Sequence, residues 1–179
     1  MFNHRLHGLT DYERSQSDIA DAVEHVRAHA ETFQVDPERV ALWYFSGAGP
    51  QLSWLLRERP AHVRCAAAFY AMLDVQHLVP PGSDPSLLTS AKALSPVTHL
   101  SAGGSGLPLF VARAGLDSQM VNLGLDAFVH EALATNVALD FMNHPAGVHC
   151  FECLTDDRRT HQIIQAAVTF THHHLEPDA

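Results

Sequence analysis

The sequence is short of cysteine, of basic residues and of long apolar runs, and each shortage excludes something. Three cysteines among 179 residues, Cys65, Cys150 and Cys153, make an odd count. That argues against a secreted disulfide framework and fits a reducing, cytoplasmic compartment. Lys and Arg number 11 against 20 Asp and Glu, a formal charge of −9; a nucleic-acid binder ordinarily shows a basic surplus. No apolar run approaches the roughly 18 residues of a membrane span, and no apolar stretch follows Met1-Phe2-Asn3-His4-Arg5 to make a signal peptide. Internal repeats and low-complexity tracts are absent. What is abundant is histidine, at 14 residues; protonating all of them would carry the charge from −9 to +5, so solubility and association should depend on pH between about 5 and 7.

The remaining composition, 46% hydrophobic and 17% charged, describes one folded domain over residues 1–179; a chain of this size buries roughly 70% of its unfolded surface. Along it, helical and strand patterns alternate. Ser17 is expected to open a helix whose apolar face is Ile19, Val23, Val26, Ala30 and Phe33, ending at the turn Asp36-Pro37-Glu38. Val40–Phe45 is continuously apolar and reads as a strand buried on both faces. After Ser46-Gly47-Ala48-Gly49 comes a helix with Leu52, Leu55 and Leu56 inward; Trp54 and Arg57–Arg59 read as its surface. Further strands are expected at Cys65–Tyr70, Leu109–Arg113 and Val137–Met142. Further helices are expected over Met120–Asn136, with Leu123, Phe128 and Ala132 inward, and over Asp157–Leu175, burying Ile163, Ile164, Ala167 and Phe170. Residues 72–107 are irregular, with a short helix near Ser86–Leu94, and a connection of this length serves as a cap or lid. Such alternation predicts a three-layer α/β sandwich with a mostly parallel sheet.

Functional residues of such sheets collect at the carboxyl ends of the strands. Ser46 stands where the first strand meets its helix. A nucleophilic serine needs a tight turn there, with small residues two before and two after it. Ala48 meets that need and Tyr44 does not; a serine here would also serve as a helix N-cap. Asp117, in Ala114-Gly115-Leu116-Asp117, follows the third strand, and His149, in Gly147-Val148-His149-Cys150-Phe151, follows the fourth. A loop aspartate capping a helix and a loop histidine are common, but the order Ser…Asp…His, at intervals of 71 and 32 residues, is that of a catalytic triad on an α/β sheet. Asp74, after the second strand, is the alternative acid. The Gly47 amide, next to the nucleophile, is the expected oxyanion donor; no second donor is identifiable.

From Ser17 to Leu175 these residues resemble the dienelactone hydrolase-like branch of the α/β-hydrolase fold. The likeness rests on Asp36-Pro37-Glu38-Arg39-Val40, Phe45-Ser46-Gly47-Ala48-Gly49, Phe69-Tyr70 with Leu73-Asp74, Ser95-Pro96, Gly115-Leu116-Asp117 and Gly147-Val148-His149-Cys150-Phe151. It implies a serine hydrolase acting on small carboxylic esters or lactones without metal or other cofactor. Tyr44 departs from the family's glycine. The family also has several strands before the helix that is expected at Ser17, one of them leading into a His-Gly loop that supplies an oxyanion amide. Only residues 1–16 precede that helix here, as an N-terminal arm, and His7-Gly8 is read as chance. The chain is thus expected to be a compact or N-terminally truncated hydrolase fold. Its strand Val40–Phe45 would have an open edge, to be covered in a homodimer or other assembly; the alternative function is an interaction module with little or no activity.

Two weaker patterns remain. Cys150-Phe151-Glu152-Cys153 has redox- or metal-like spacing, but no second pair completes a zinc set, so buried, inert thiols are expected. His172-His173-His174 cannot face one ion while helical and reads as a solvated helix end, where histidine suits the dipole.

Overall fold

A computed structural model describes residues 12–100 and 106–177. Four strands, β1 (Val40–Phe45), β2 (Val63–Phe69), β3 (Leu109–Ala114) and β4 (Leu139–His144), form one parallel sheet in the order β1-β2-β3-β4. Alternate residues of each strand point to opposite faces, and the core divides accordingly. Ala66, Ala68, Leu109 and Val111 meet helices α1 (Tyr12–Ala28), α3 (Leu52–Glu58) and α5 (Gln119–Ala134) on one side, through Ile19, Val23, Leu55, Leu56, Leu125 and Phe128. Cys65, Ala67, Phe69, Phe110 and Ala112 meet α6 (Phe151–Leu154) and α7 (Arg158–Leu175) on the other, through Phe151, Ile163, Ala167 and Phe170. The result is the expected three-layer α/β sandwich. β2 is built largely of alanine, a weak strand former, and its central place in the sheet overrides that preference.

Several expectations are corrected. α1 begins by Tyr12, not Ser17, so the second part of the expected 1–16 arm is helical. Its Ser15 and Gln16 are buried because Gln51 donates to Ser15 Oγ, Gln16 donates to Ser53 Oγ at 2.8 Å and Arg57 donates to Gln16 Oε1 at 2.7 Å. Residues 1–11, with His7-Gly8, lie outside the described residues. The α1 stripe packs only through Ile19 and Val23; the chain breaks at His29 before the short α2 (Ala30–Phe33), and Val26 and Phe33 face solvent. Trp54 is half-buried against the core rather than a surface residue.

β1 is not buried on both faces. Among the described residues it pairs only with β2; its residues from Val40 to Trp43 are half-buried and Phe45 is exposed. In α5 the inward stripe is Val121, Leu125, Phe128 and Ala132, and Leu123 is exposed. β4 starts at Leu139, two residues late. Asn136 turns left-handed (φ 56) and Val137 donates back to the Ala132 carbonyl at 2.9 Å, a helix ending that consumes those residues. Within residues 72–107 the helix α4 (Pro85–Leu94) is capped by Asp84, which accepts from the Ser86 amide, and Val75, Ala91 and Leu94 make a small core of their own. Residues 101–105 of this stretch lie outside the described residues.

Candidate active site

Because all four strands are parallel, their carboxyl ends share one rim. β1 ends where Ser46 turns left-handed, with φ 52, a conformation costly for a residue with a side chain. The chain then makes a tight 3-10 turn, Ser46–Gln51, into α3. The turn is anchored from the loop after β2: the Met72 amide donates to the Ser46 carbonyl at 3.1 Å. A Cβ on Gly49 would lie 2.5 Å from the Met72 nitrogen, so only glycine allows this approach. Gly47 faces open space, with nothing within 4 Å of where a Cβ would stand. Its amide lies in the first turn, where N–H groups have no carbonyl one turn back. Tyr44 does not obstruct the turn: its ring enters the main core at 3% exposure. Its hydroxyl is buried without a hydrogen-bond partner among the described residues, and burial holds the phenol well above its ordinary pKa.

The loops after β3 and β4 are bound to each other. Gly115 donates to the His144 carbonyl at 2.8 Å and Leu116 to the Gly147 carbonyl at 2.9 Å. A Cβ on Gly115 would fall 2.4 Å from the Pro145 carbonyl oxygen, so glycine is again required by close approach. This contact brings Asp117 to His149: Nδ1 of the imidazole is 2.6 Å from Asp117 Oδ2, and Nε2 is 2.8 Å from Ser46 Oγ. The other Asp117 oxygen accepts the Ser118 amide at 2.6 Å. The aspartate side chain is 5% exposed and the imidazole 38%, so a nearly buried carboxylate stands behind a histidine that is open to solvent. An arrangement of this kind can draw the proton from a serine hydroxyl and hold the resulting imidazolium.

Asp74 stands apart from this relay. Its Oδ1 accepts the Gln76 amide at 2.9 Å and the Ser95 hydroxyl at 2.9 Å, closing the base of the 72–100 stretch. Behind His149, the buried His144 places Nε2 3.1 Å from Thr160 Oγ1 and 3.3 Å from Asp157 Oδ2.

The cysteines are unpaired. Cys65 is buried, and burial pushes its pKa up to about 11, but the two thiols of the Cys150–Cys153 pattern, expected to be buried, are not. Cys150 is half-buried and left-handed (φ 59), and Cys153 is exposed, its thiol raised by the adjacent Glu152 charge. The short α6 turns out from the core, which is why its last residues reach solvent. His172 and His173 are exposed, whereas His174 packs edge-on against Phe170 at 4.6 Å, and burial lowers its pKa. Among the described residues no helix is long and apolar enough to cross a membrane.

Two residues of the site had no individual sequence signal. The Tyr70 ring lies 4.6 Å from the His149 ring, and its hydroxyl donates to Glu152. Nothing in the chain order pairs residues that stand 82 positions apart.

No family model and no curated protein sequence matches the chain. Solved structures do. A thermophilic esterase from the Planctomycetes species Thermogutta terrifontis is 18% identical over 93% of this chain and 68% of its own, with a TM-score of 0.69. An acetyl ester-xyloside bifunctional hydrolase from Caldicellulosiruptor lactoaceticus is 16% identical over 89% and 65%, with a TM-score of 0.69. The carboxylesterase Cest-2923 from Lactobacillus plantarum is 14% identical over 93% and 70%, with a TM-score of 0.68. The chain therefore shares the fold of these enzymes and spans about two thirds of their length.

Proposed function

We propose that the chain is a serine hydrolase that cleaves carboxylic esters or lactones through an acyl-enzyme intermediate. The observation that carries this reading is the unbroken path from Ser46 Oγ through both nitrogens of His149 to Asp117, at 2.8 and 2.6 Å. In this reading His149 Nε2 takes the serine proton as Oγ attacks the acyl carbon. Asp117 holds the imidazole in the required tautomer and steadies its charge. The oxyanion accepts from the Gly47 amide. The imidazolium then protonates the departing alkoxide; water, deprotonated by the same imidazole, releases the acid and restores Ser46. The loop from Met72 onward, seated against Ser46, forms one wall of the substrate site and acts as its cap. The likeness to the dienelactone hydrolase-like branch favours small esters or lactones. The Thermogutta esterase, solved with butyrate and with propionate bound, favours short acyl groups. Three unpaired thiols suit a reducing cytoplasm.

Labelling by a fluorophosphonate probe tests the reading: a labelled wild type and an unlabelled Ser46→Ala are expected, and equal labelling of both would sink it. A second reading draws on the open edge of β1, which has no strand partner on its outer side among the described residues. It makes the chain a weakly active or inactive interaction module, or a homodimer that covers this edge. Well-folded protein that takes no label supports the module, and light scattering showing a strict monomer at micromolar concentration would remove the dimer.

A further inference from the structure

We propose that Tyr70, latched by Glu152, is a positioning residue that sets the orientation of the His149 imidazole; the proposal rests on the reading of Ser46, His149 and Asp117 as the reacting groups. The χ1 and χ2 torsions of His149 carry both ring nitrogens, and the hydrogen bonds at Nδ1 and Nε2 hold them only as firmly as those two contacts allow. A packing contact against the ring face narrows the torsions further, and Tyr70 supplies it. Its ring centroid is 4.6 Å from that of His149 at 56°, with Phe151 edge-on behind it at 5.7 Å and Phe45 at 6.2 Å. The tyrosine is 1% exposed.

Reaching this place costs backbone strain. Tyr70 is left-handed, with φ 36, although its amide still donates to the Ala112 carbonyl at 2.8 Å. A bulky residue held at positive φ is a feature that surrounding structure must enforce. The enforcement comes from the histidine loop itself. The Tyr70 hydroxyl donates to Glu152 Oε1, and Glu152 lies three residues beyond His149 in the first turn of α6. That bond ties the loop carrying the histidine to the end of β2, in addition to its contacts with the β3 loop. Burial, and next the Glu152 carboxylate, push the phenol far above its ordinary pKa, so it remains a donor wherever the enzyme is folded.

Glu152 Oε2 is buried with no partner among the described residues. A latch made only for stability would not keep a carboxylate oxygen unpaired, since such an atom is costly and a neutral acceptor would serve. Negative charge beside an aromatic ring that faces the imidazole is useful when the imidazole becomes a cation, as it does when Ser46 gives up its proton. The ring itself also favours a cation held within about 6 Å.

The test compares Tyr70→Phe, Glu152→Ala, Glu152→Gln and the double variant Tyr70→Phe/Glu152→Ala. Hydrolysis of p-nitrophenyl butyrate is followed beside thermal unfolding and the downfield proton resonance of the His149–Asp117 hydrogen bond. Tyr70→Phe and Glu152→Ala are each expected to lower kcat by about 5- to 100-fold, the range for slight misplacement of a reacting group, with KM within about twofold. The double variant should be no worse than the poorer single one, because both remove one bond. Glu152→Gln, which keeps an acceptor for the phenol but removes the charge, should restore the resonance while recovering only part of the loss in kcat. The resonance should shift or broaden in Tyr70→Phe and Glu152→Ala. Unchanged kcat and an unchanged resonance in folded variants would overturn the proposal, as would losses that multiply in the double variant. If Tyr70→Phe fails to fold, Glu152→Ala carries the same test. If wild type neither hydrolyses nor labels at Ser46, the catalytic reading fails, and the resonance still reports whether Tyr70 and Glu152 hold the ring.

Discussion

The serine side of the site and the acid–histidine side are held by different means. Ser46 leaves an edge strand. Its turn depends on one backbone bond, from Met72, and on the absence of a side chain at Gly49. Asp117 and His149 leave β3 and β4, whose loops are joined by two amide–carbonyl bonds and by the contact of Gly115 with Pro145. One half is a strained turn held by one backbone bond and by the Gln51 side chain on Ser15, and the other is a closed knot of backbone. Separating the jobs has a physical logic. The tautomer and direction of the imidazole must be set within fractions of an ångström, and a doubly tied loop pair does that. A serine that is to act as the nucleophile, as proposed for Ser46, needs only to stand clear of the sheet, which left-handed geometry accomplishes.

Substitutions can break or sharpen this contrast. The largest effect is expected from Ser46→Ala, which should lower the hydrolysis rate of a p-nitrophenyl short-chain ester by about 10⁴-fold or more while leaving the unfolding temperature near wild type. Next is Asp117→Asn, with a loss of about 10³- to 10⁴-fold in kcat through the wrong imidazole tautomer. Asp74→Asn should stay within a few-fold, and a larger loss there would transfer the acid role to Asp74.

Gly49→Ala and Gly115→Ala should each cost about 1–3 kcal/mol in urea unfolding, because backbone must move to admit a methyl group. If the contrast is right, Gly115→Ala lowers kcat and the labelling rate together and shifts the His149–Asp117 proton resonance, whereas Gly49→Ala lowers both and leaves that resonance unchanged. A gain is expected from Tyr44→Phe. Removing a buried hydroxyl without a partner should stabilise by about 1 kcal/mol, raising Tm by roughly 2–4 °C.

The smallest effect concerns Asp157, which caps α7 behind the histidine loop. The Thr160 amide, at 2.7 Å, holds its carboxyl below the ordinary 3.8. A depressed carboxyl stabilises fully above its unfolded value and loses this contribution as pH falls through the folded one. The gap in stability between wild type and Asp157→Ala should therefore close as the pH is lowered below 3.8.

Much of the fold was legible because buried parallel strands and amphipathic helices leave periodic traces. β1 was located to the residue, and α7 by Ile163, Ala167 and Phe170. Boundaries failed where local closure competed with pattern, as at Asn136, whose left-handed turn delays β4. Burial failed where position in the sheet mattered. Val40–Phe45 has the composition of a central strand and stands at an edge, while the alanines of β2 look unremarkable and lie at the centre. Cys153 illustrates the same limit, since nothing local distinguishes an exposed thiol on a short outward turn from a buried one.

The candidate site divides in the same way. By itself the sequence determined the alternation of strands and helices, and with it that Ser46, Asp117 and His149 each follow a different strand. Parallel strands put such positions on one rim, so their nearness follows from topology. Only the tertiary structure decided which carboxylate meets the imidazole, that Tyr44 turns into the core without blocking the serine, and that Tyr70 and Glu152 close around the histidine. Those outcomes depend on contacts between residues far apart in the chain and on backbone approaches of under 3 Å at Gly49 and Gly115. Periodicity carries no information about either.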